Sequence, residues 1–150
     1  MNRGFLFERR LVLGLRILLG LIFLFAGAMK LKDPESLVKS IEAYRLLPPE
    51  VVPWVASSLP IFELIVGLFL VTGWRWRVGA LSACFLLLIF LVALVSALIR
   101  GISIECSCFG TIAFLGVTPE AMLVRNSLLF LIAIFCYVAG FKRRDQSFAN

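Results

Sequence analysis

The stretch Trp76-Arg-Val-Gly-Ala-Leu-Ser-Ala-Cys-Phe-Leu-Leu-Leu-Ile-Phe-Leu-Val-Ala-Leu-Val-Ser-Ala-Leu-Ile99 decides the fold. After Arg77 it reaches Ile99 without a charged residue. A helix needs about 20 predominantly apolar residues to cross roughly 30 Å of hydrocarbon, and this run meets that length. Three further segments read the same way, at residues 11–29, 51–72 and 120–140. The whole composition agrees. Hydrophobic residues make up 61% of the 150 and the mean hydropathy is +1.02, where a soluble domain is about 45–50% apolar. A chain this short has little interior, so most of its Leu, Ile, Val and Phe side chains must face lipid. The expected fold is all-α: an integral membrane four-helix bundle, a single transmembrane domain over residues 1–150 with no separate soluble domain.

Polar, punctuated connections separate the spans. Residues 30–50 carry Asp33-Pro34 and Pro48-Pro49, residues 73–75 make a tight turn, and residues 100–119 hold Gly101, Gly110 and Gly116; Pro and Gly there are loop chemistry. Residues 36–46 alternate apolar and charged positions at helical spacing, which predicts a short helix lying in the interface of the first outer loop. Arg9 and Arg10 before the first span resemble the start of a signal peptide. No small-residue cleavage site leads into a polar mature region, so the segment is read as a helix.

Lys and Arg set the orientation, because basic loops stay in the cytoplasm. Arg3, Arg9, Arg10, Arg75, Arg77, Lys142, Arg143 and Arg144 collect on one face. Lys30, Lys32, Lys39, Arg45 and Arg100 fall on the other, among Asp33, Glu35, Glu42 and Glu50. Both termini are therefore expected in the cytoplasm of a bacterium, the protein being multi-pass in the inner membrane. The net charge of +6 is then a membrane signature; the bilayer is the expected partner and nucleic acid is not.

On this reading the third connection faces an oxidising compartment, and it carries Glu105-Cys106-Ser107-Cys108-Phe109-Gly110. That placement points to thiol–disulfide chemistry. One intervening residue closes only a small, strained ring, and strain makes a disulfide easier to reduce. As a staple it would be poor, since stabilisation grows with the loop that is closed. Reactive thiols need a cation to hold the anion, and Lys30 at the end of the first span and Arg125 inside the fourth are the candidates. For Lys30 the bland alternative is snorkelling to headgroups. Arg125 is harder to set aside, because a charge inside a span is costly unless paired or solvated.

Glu63 in the second span and Arg16 in the first are further intramembrane charges. Counted from the span ends, their depths differ by a few ångströms, which predicts that they pair across the bundle. The pair is read first as structural, with a proton relay through Glu63 as the second role. Cys84 and Cys136 are read as small apolar fillers, a second redox pair being the alternative. Trp54, Trp74 and Trp76 sit where interfacial anchors belong. Gly14, Gly20, Gly27 and Gly67 permit close approach of helices. With no His in the chain, His-based catalysis, haem ligation by His and mixed Cys/His zinc sites are excluded. No phosphate-cradling Gly-rich loop followed by Lys and Ser/Thr occurs.

Several of these residues fall in a recognisable order. Arg16, then Gly27-Ala28-Met29-Lys30-Leu31-Lys32-Asp33-Pro34, Tyr44-Arg45-Leu46-Leu47-Pro48, Pro60-Ile61-Phe62-Glu63-Leu64-Ile65-Val66-Gly67, Cys106-Ser107-Cys108-Phe109-Gly110 and Arg125 together resemble the MauE branch of the DoxX-like membrane proteins, from about residue 10 to residue 140. The resemblance implies a four-helix membrane protein tied to periplasmic disulfide chemistry. That includes maturation of methylamine dehydrogenase, often beside a thioredoxin-like partner. It carries over Arg16, Lys30, Glu63, Cys106, Cys108 and Arg125. The arrangement is also similar to vitamin K epoxide reductase-like and disulfide-forming membrane proteins. Those use a quinone cofactor and a Cys-x-x-Cys site, where this chain has Cys-x-Cys.

The expected function is a thiol–disulfide exchange in which Cys106 and Cys108 pass electrons to or from a periplasmic thioredoxin-like protein or its client. Two other classes compete. A soft-metal carrier for copper or mercury would use Cys106 and Cys108, with Cys84 or Cys136 below. A non-enzymatic assembly scaffold would use the Cys-x-Cys only to shape a loop.

Overall fold

A computed structural model describes residues 3–101 and 119–148, with side chains over residues 10–101 and 121–139. Cys106 and Cys108 lie outside the described residues, as do the side chains of Arg3, Arg9, Lys142, Arg143 and Arg144. Among the described residues all regular structure is helical: α1 (Arg3–Lys32), α2 (Pro34–Ala43), α3 (Val52–Thr72), α4 (Trp76–Ile99) and α5 (Pro119–Phe148). Four of these, over Arg10–Lys32, Val52–Thr72, Trp76–Ile99 and Ala121–Ala139, are long and apolar enough to cross a membrane. They are the four spans expected from hydropathy. The protein is a multi-pass helical membrane bundle. Helices α1 and α5 run past the apolar segments into flanks of Arg and Lys, residues that propagate a helix well.

The expected short helix is α2. Asp33 caps it by accepting a hydrogen bond from the Ser36 backbone N–H at 3.1 Å, and Pro34 supplies the fixed φ of a first helical turn. Leu37 and Ser40 are its buried residues, so one face lies on the bundle, mainly against α3. Gly73, with φ +79°, ends α3 in the left-handed conformation that a non-glycine residue resists, and its N–H bonds back to Phe69. That turn allows α4 to return antiparallel to α3.

Helices pack in the cyclic order α1, α3, α4, α5, with α5 closing against α1. Lipid is as apolar as Leu, so burial drives little of this association and close packing must hold it. The α1–α3 seam is made of glycine. A Cβ on Gly67 would meet the Gly20 carbonyl oxygen at 2.8 Å and the Leu24 nitrogen at 2.9 Å. A Cβ on Gly27 would meet the Pro60 carbonyl oxygen at 3.0 Å. Gly14 differs from the expectation: nothing lies within 4 Å of its Cβ position, because α3 has already ended at that level. Ala80 and Ala83 of α4 and Ala133 of α5 join Leu19, Phe23, Val66, Leu70 and Leu87 in one core. Hydroxyls in the spans bond to their own helices, as Thr72 does to the Leu68 carbonyl at 2.7 Å and Ser57 to that of Pro53 at 2.8 Å. The protons of these two hydroxyls therefore do not face hydrocarbon unpaired.

Candidate functional site

Three intramembrane charges expected from the sequence come together toward the α2 end of the bundle. Lys30 donates to Glu63 Oε1 and forms an ion pair with it. Both are nearly closed off, at 5% and 2% exposure. The ammonium of Lys30 also lies 4.8 Å from the centroid of the Phe90 ring on α4, a cation–π contact that strengthens when desolvated. Lys30 does not snorkel to the headgroups; its charge turns into the bundle. The second carboxylate oxygen, Glu63 Oε2, is buried without a hydrogen-bond partner among the described residues.

The expected pairing of Arg16 with Glu63 is corrected by this geometry, and helix register is the reason. Gly20 faces Gly67, which puts Glu63 level with about Leu24. Arg16 is then about 12 Å away along the axis and Lys30 about 9 Å, at 1.5 Å per residue. Side-chain direction decides the rest. Every helical side chain leans toward its own N-terminus. In this antiparallel pair Lys30 and Glu63 therefore lean toward each other, whereas Arg16 and Glu63 lean apart. Arg16 sits at the other end, against the α3–α4 turn. A Cβ on Gly73 would meet its Nη1 at 3.0 Å, and its guanidinium carbon is 5.9 Å from the Trp76 ring centroid.

Around the ion pair is a cavity of about 60 Å³. A water needs roughly 10–15 Å³ on the same measure, so a few waters fit. Helix α1 contributes Phe23 and Lys30, α3 Glu63, α4 Leu87, Phe90 and Leu94, and α5 Met122, Arg125 and Asn126. Tyr44, just after α2, also lines it. The backbone there is tied down by Arg100, whose Nη2 donates to the Tyr44 carbonyl at 2.8 Å and whose Nη1 donates to that of Arg45 at 3.3 Å. Arg100 Nε returns to the Ser96 carbonyl at 3.1 Å, which fixes the guanidinium on α4. This clamp holds Arg45 at φ +48°, a conformation costly for a residue with a Cβ.

Among the sequence candidates the cavity thus unites Lys30, Glu63 and Arg125. Arg16 is elsewhere, and Cys106 and Cys108 are outside the described residues. Tyr44, Phe90, Arg100 and Asn126 were missed. Asn126 carries a usable signal, being polar, inside a span and next to Arg125. Phe90 carries none, since one Phe in an apolar run looks like any other. Cys84 and Cys136 are free thiols, Cys136 fully buried. Among the described residues no cluster of three His, Cys, Asp or Glu gathers to hold a metal.

Residues 8–139 match the family described as methylamine utilisation protein MauE, a match that spans most of the chain. The chain belongs to the MauE family. The methylamine utilization protein MauE of Paracoccus denitrificans is similar to this MauE-family chain at 35% identity over 106 residues. That alignment takes in 70% of this chain and 57% of the relative, so the chain covers little more than half of the relative's length. No solved structure matches. The region that matches the MauE family contains the whole cavity as well as Cys106 and Cys108.

Proposed function

We propose that this MauE-family protein sits in a bacterial inner membrane with both termini in the cytoplasm. There it exchanges electrons between Cys106/Cys108 and a periplasmic thioredoxin-like protein or its client, in the service of methylamine utilisation. One observation supports the reading above others. The segment carrying both cysteines joins the ends of α4 and α5, and the nearest turns of those helices supply Leu94, Met122, Arg125 and Asn126 to the charged cavity. Two thiols thus lie in sequence beside a cationic, partly polar site at the membrane rim, the surroundings in which a thiolate is reactive.

In the exchange one cysteine thiolate attacks a disulfide sulfur of the partner, and a mixed disulfide forms as the partner's S–S bond breaks. The second cysteine then attacks that mixed bond. The chain's two sulfurs lose two electrons as their own bond closes, and the partner leaves as a dithiol holding the two protons. The reverse sequence reduces the chain. Arg125, which lines the cavity from α5 near the end that leads to the cysteines, suits the role of counter-ion to the thiolate. No step requires a quinone.

Trapping tests the proposal. Cys106→Ser and Cys108→Ser single variants, quenched with an alkylating agent in intact membranes, should accumulate a mixed disulfide with a periplasmic thioredoxin-fold protein. Absence of any such adduct, with client maturation unchanged in the double Ser variant, would overturn it.

A further inference from the structure

At the Gly73 turn the charge of Arg16 meets no described carboxylate. Its side chain reaches the turn from α1, with Nη1 and Nη2 at 3.0 and 3.1 Å from where a Cβ on Gly73 would stand, so the glycine leaves the guanidinium its place. Trp76, the first residue of α4, receives two cations. The guanidinium carbons of Arg16 and Arg77 each lie 5.9 Å from the centroid of its ring, so one indole ties guanidiniums from two helices to a single spot. An aromatic face attracts a cation but has no net charge with which to neutralise it. The Nε of Arg16 is buried and has no hydrogen-bond partner among the described residues. Of the acidic side chains described, Asp33, Glu35, Glu42 and Glu50 belong to the far end of the bundle. Glu63 pairs with Lys30, about 15 Å along α3 from Gly73 at 1.5 Å per residue. A guanidinium at the edge of a span needs a counter-charge. Trp74, 71% exposed beside the cluster, marks the depth of the headgroups, where the abundant anion is a lipid phosphate.

We propose that Arg16, Trp76 and Arg77 form a binding site for the phosphodiester of an anionic phospholipid at the membrane face of the Gly73 turn. Guanidinium suits that ligand, since it offers paired N–H donors in one plane and keeps its charge at any ordinary pH. A lipid fits better than a free phosphate ester because apolar surface adjoins the charge. Leu68 and Val78, in the nearest turns of α3 and α4, are exposed and give acyl chains something to lie against. An anionic lipid is favoured over a zwitterionic one, whose own ammonium competes with the guanidiniums for the phosphate. The site takes no part in the exchange at Cys106 and Cys108.

The test purifies the full chain in a neutral detergent and incubates it with phosphatidylglycerol, phosphatidylcholine or glycerol 3-phosphate over a concentration series, with bound ligand counted by native mass spectrometry. Phosphatidylglycerol should be retained saturably and more firmly than phosphatidylcholine, and glycerol 3-phosphate should not be retained. Arg16→Gln and Arg77→Gln should each weaken phosphatidylglycerol about fivefold, the worth of one basic residue at an anionic surface, and Arg16→Lys should recover part of the loss. Lys39→Gln, on α2 at the other end of the bundle, should bind as the parent does. Thermal midpoints without added lipid show whether Arg16→Gln is folded; if it is not, Arg77→Gln carries the comparison. Equal retention of the two lipids, or parental affinity in the folded Gln variants, would overturn the site. Glycerol 3-phosphate held as firmly as phosphatidylglycerol would overturn the lipid as its occupant. Either result leaves the exchange proposed for Cys106 and Cys108 untouched.

Discussion

The two ends of the α1–α3 pair solve the problem of life in lipid in different ways. Toward the Gly73 turn, Gly20 and Gly67 bring backbone against backbone, and the contact is tight and free of carboxylates among the described residues. Toward α2 the seam stays close, with Gly27 against the Pro60 carbonyl oxygen, but beside it a Lys30–Glu63 ion pair faces a cavity. Glycine packing holds both ends, and charge is added at the second. A buried pair is poor evidence for stability, because the loss of hydration offsets its attraction. Glycine contact needs no such compensation. The difference suggests that the charged end is kept for what it does and the glycine end for what it holds.

The sharpest way to break that contrast is to remove one charge. Glu63→Leu strands the Lys30 ammonium in the bundle and should lower stability by about 3–5 kcal/mol, read as a fall in the detergent thermal midpoint. The double variant Lys30→Met/Glu63→Leu should regain most of it, since a well-packed apolar pair often equals a buried ion pair. If the double variant is as unstable as the single, the pair contributes more to the fold than the contrast allows. A smaller effect is expected at the glycine end. Gly67→Ala pushes a methyl group into the Gly20 carbonyl and the Leu24 nitrogen, backbone atoms that cannot rotate away, for a loss of about 1–3 kcal/mol. The smallest change has the opposite sign. Gly14→Ala meets nothing within 4 Å, so the helix preference of Ala over Gly should stabilise the protein by up to about 1 kcal/mol. A destabilised Gly14→Ala would mean that this glycine touches a neighbour after all.

The spans were legible because hydropathy needs no partner to be read. The run ending at Ile99 and the Gly73 turn gave the α4 boundaries directly, and Asp33-Pro34 announced the start of α2. Charge partners were not legible in the same way. Counting residues from the end of each span set Arg16 and Glu63 at similar depth, yet the register is fixed by where Gly20 meets Gly67, and the lean of each side chain then adds to or subtracts from it. Had Cβ direction been applied to antiparallel neighbours, Lys30 would have been the better partner for Glu63. The cavity was not legible at all. It is built from Phe90, Leu94 and Met122 on separate helices, residues that in sequence differ in no way from lipid-facing ones. Arg100 contributed to the sequence reading only as a positive charge, because its hydrogen bonds go to the distant Tyr44 and Arg45 carbonyls.

That clamp has a mechanical corollary. Arg100 stands at the last turn of α4, next to the start of the stretch that bears Cys106 and Cys108, and its guanidinium grips the main chain of a residue that walls the cavity. Any pull on the chain just beyond Gly101 is therefore shared, like the load on a drawstring, between the end of α4 and the main chain at Tyr44 and Arg45 that the same guanidinium holds.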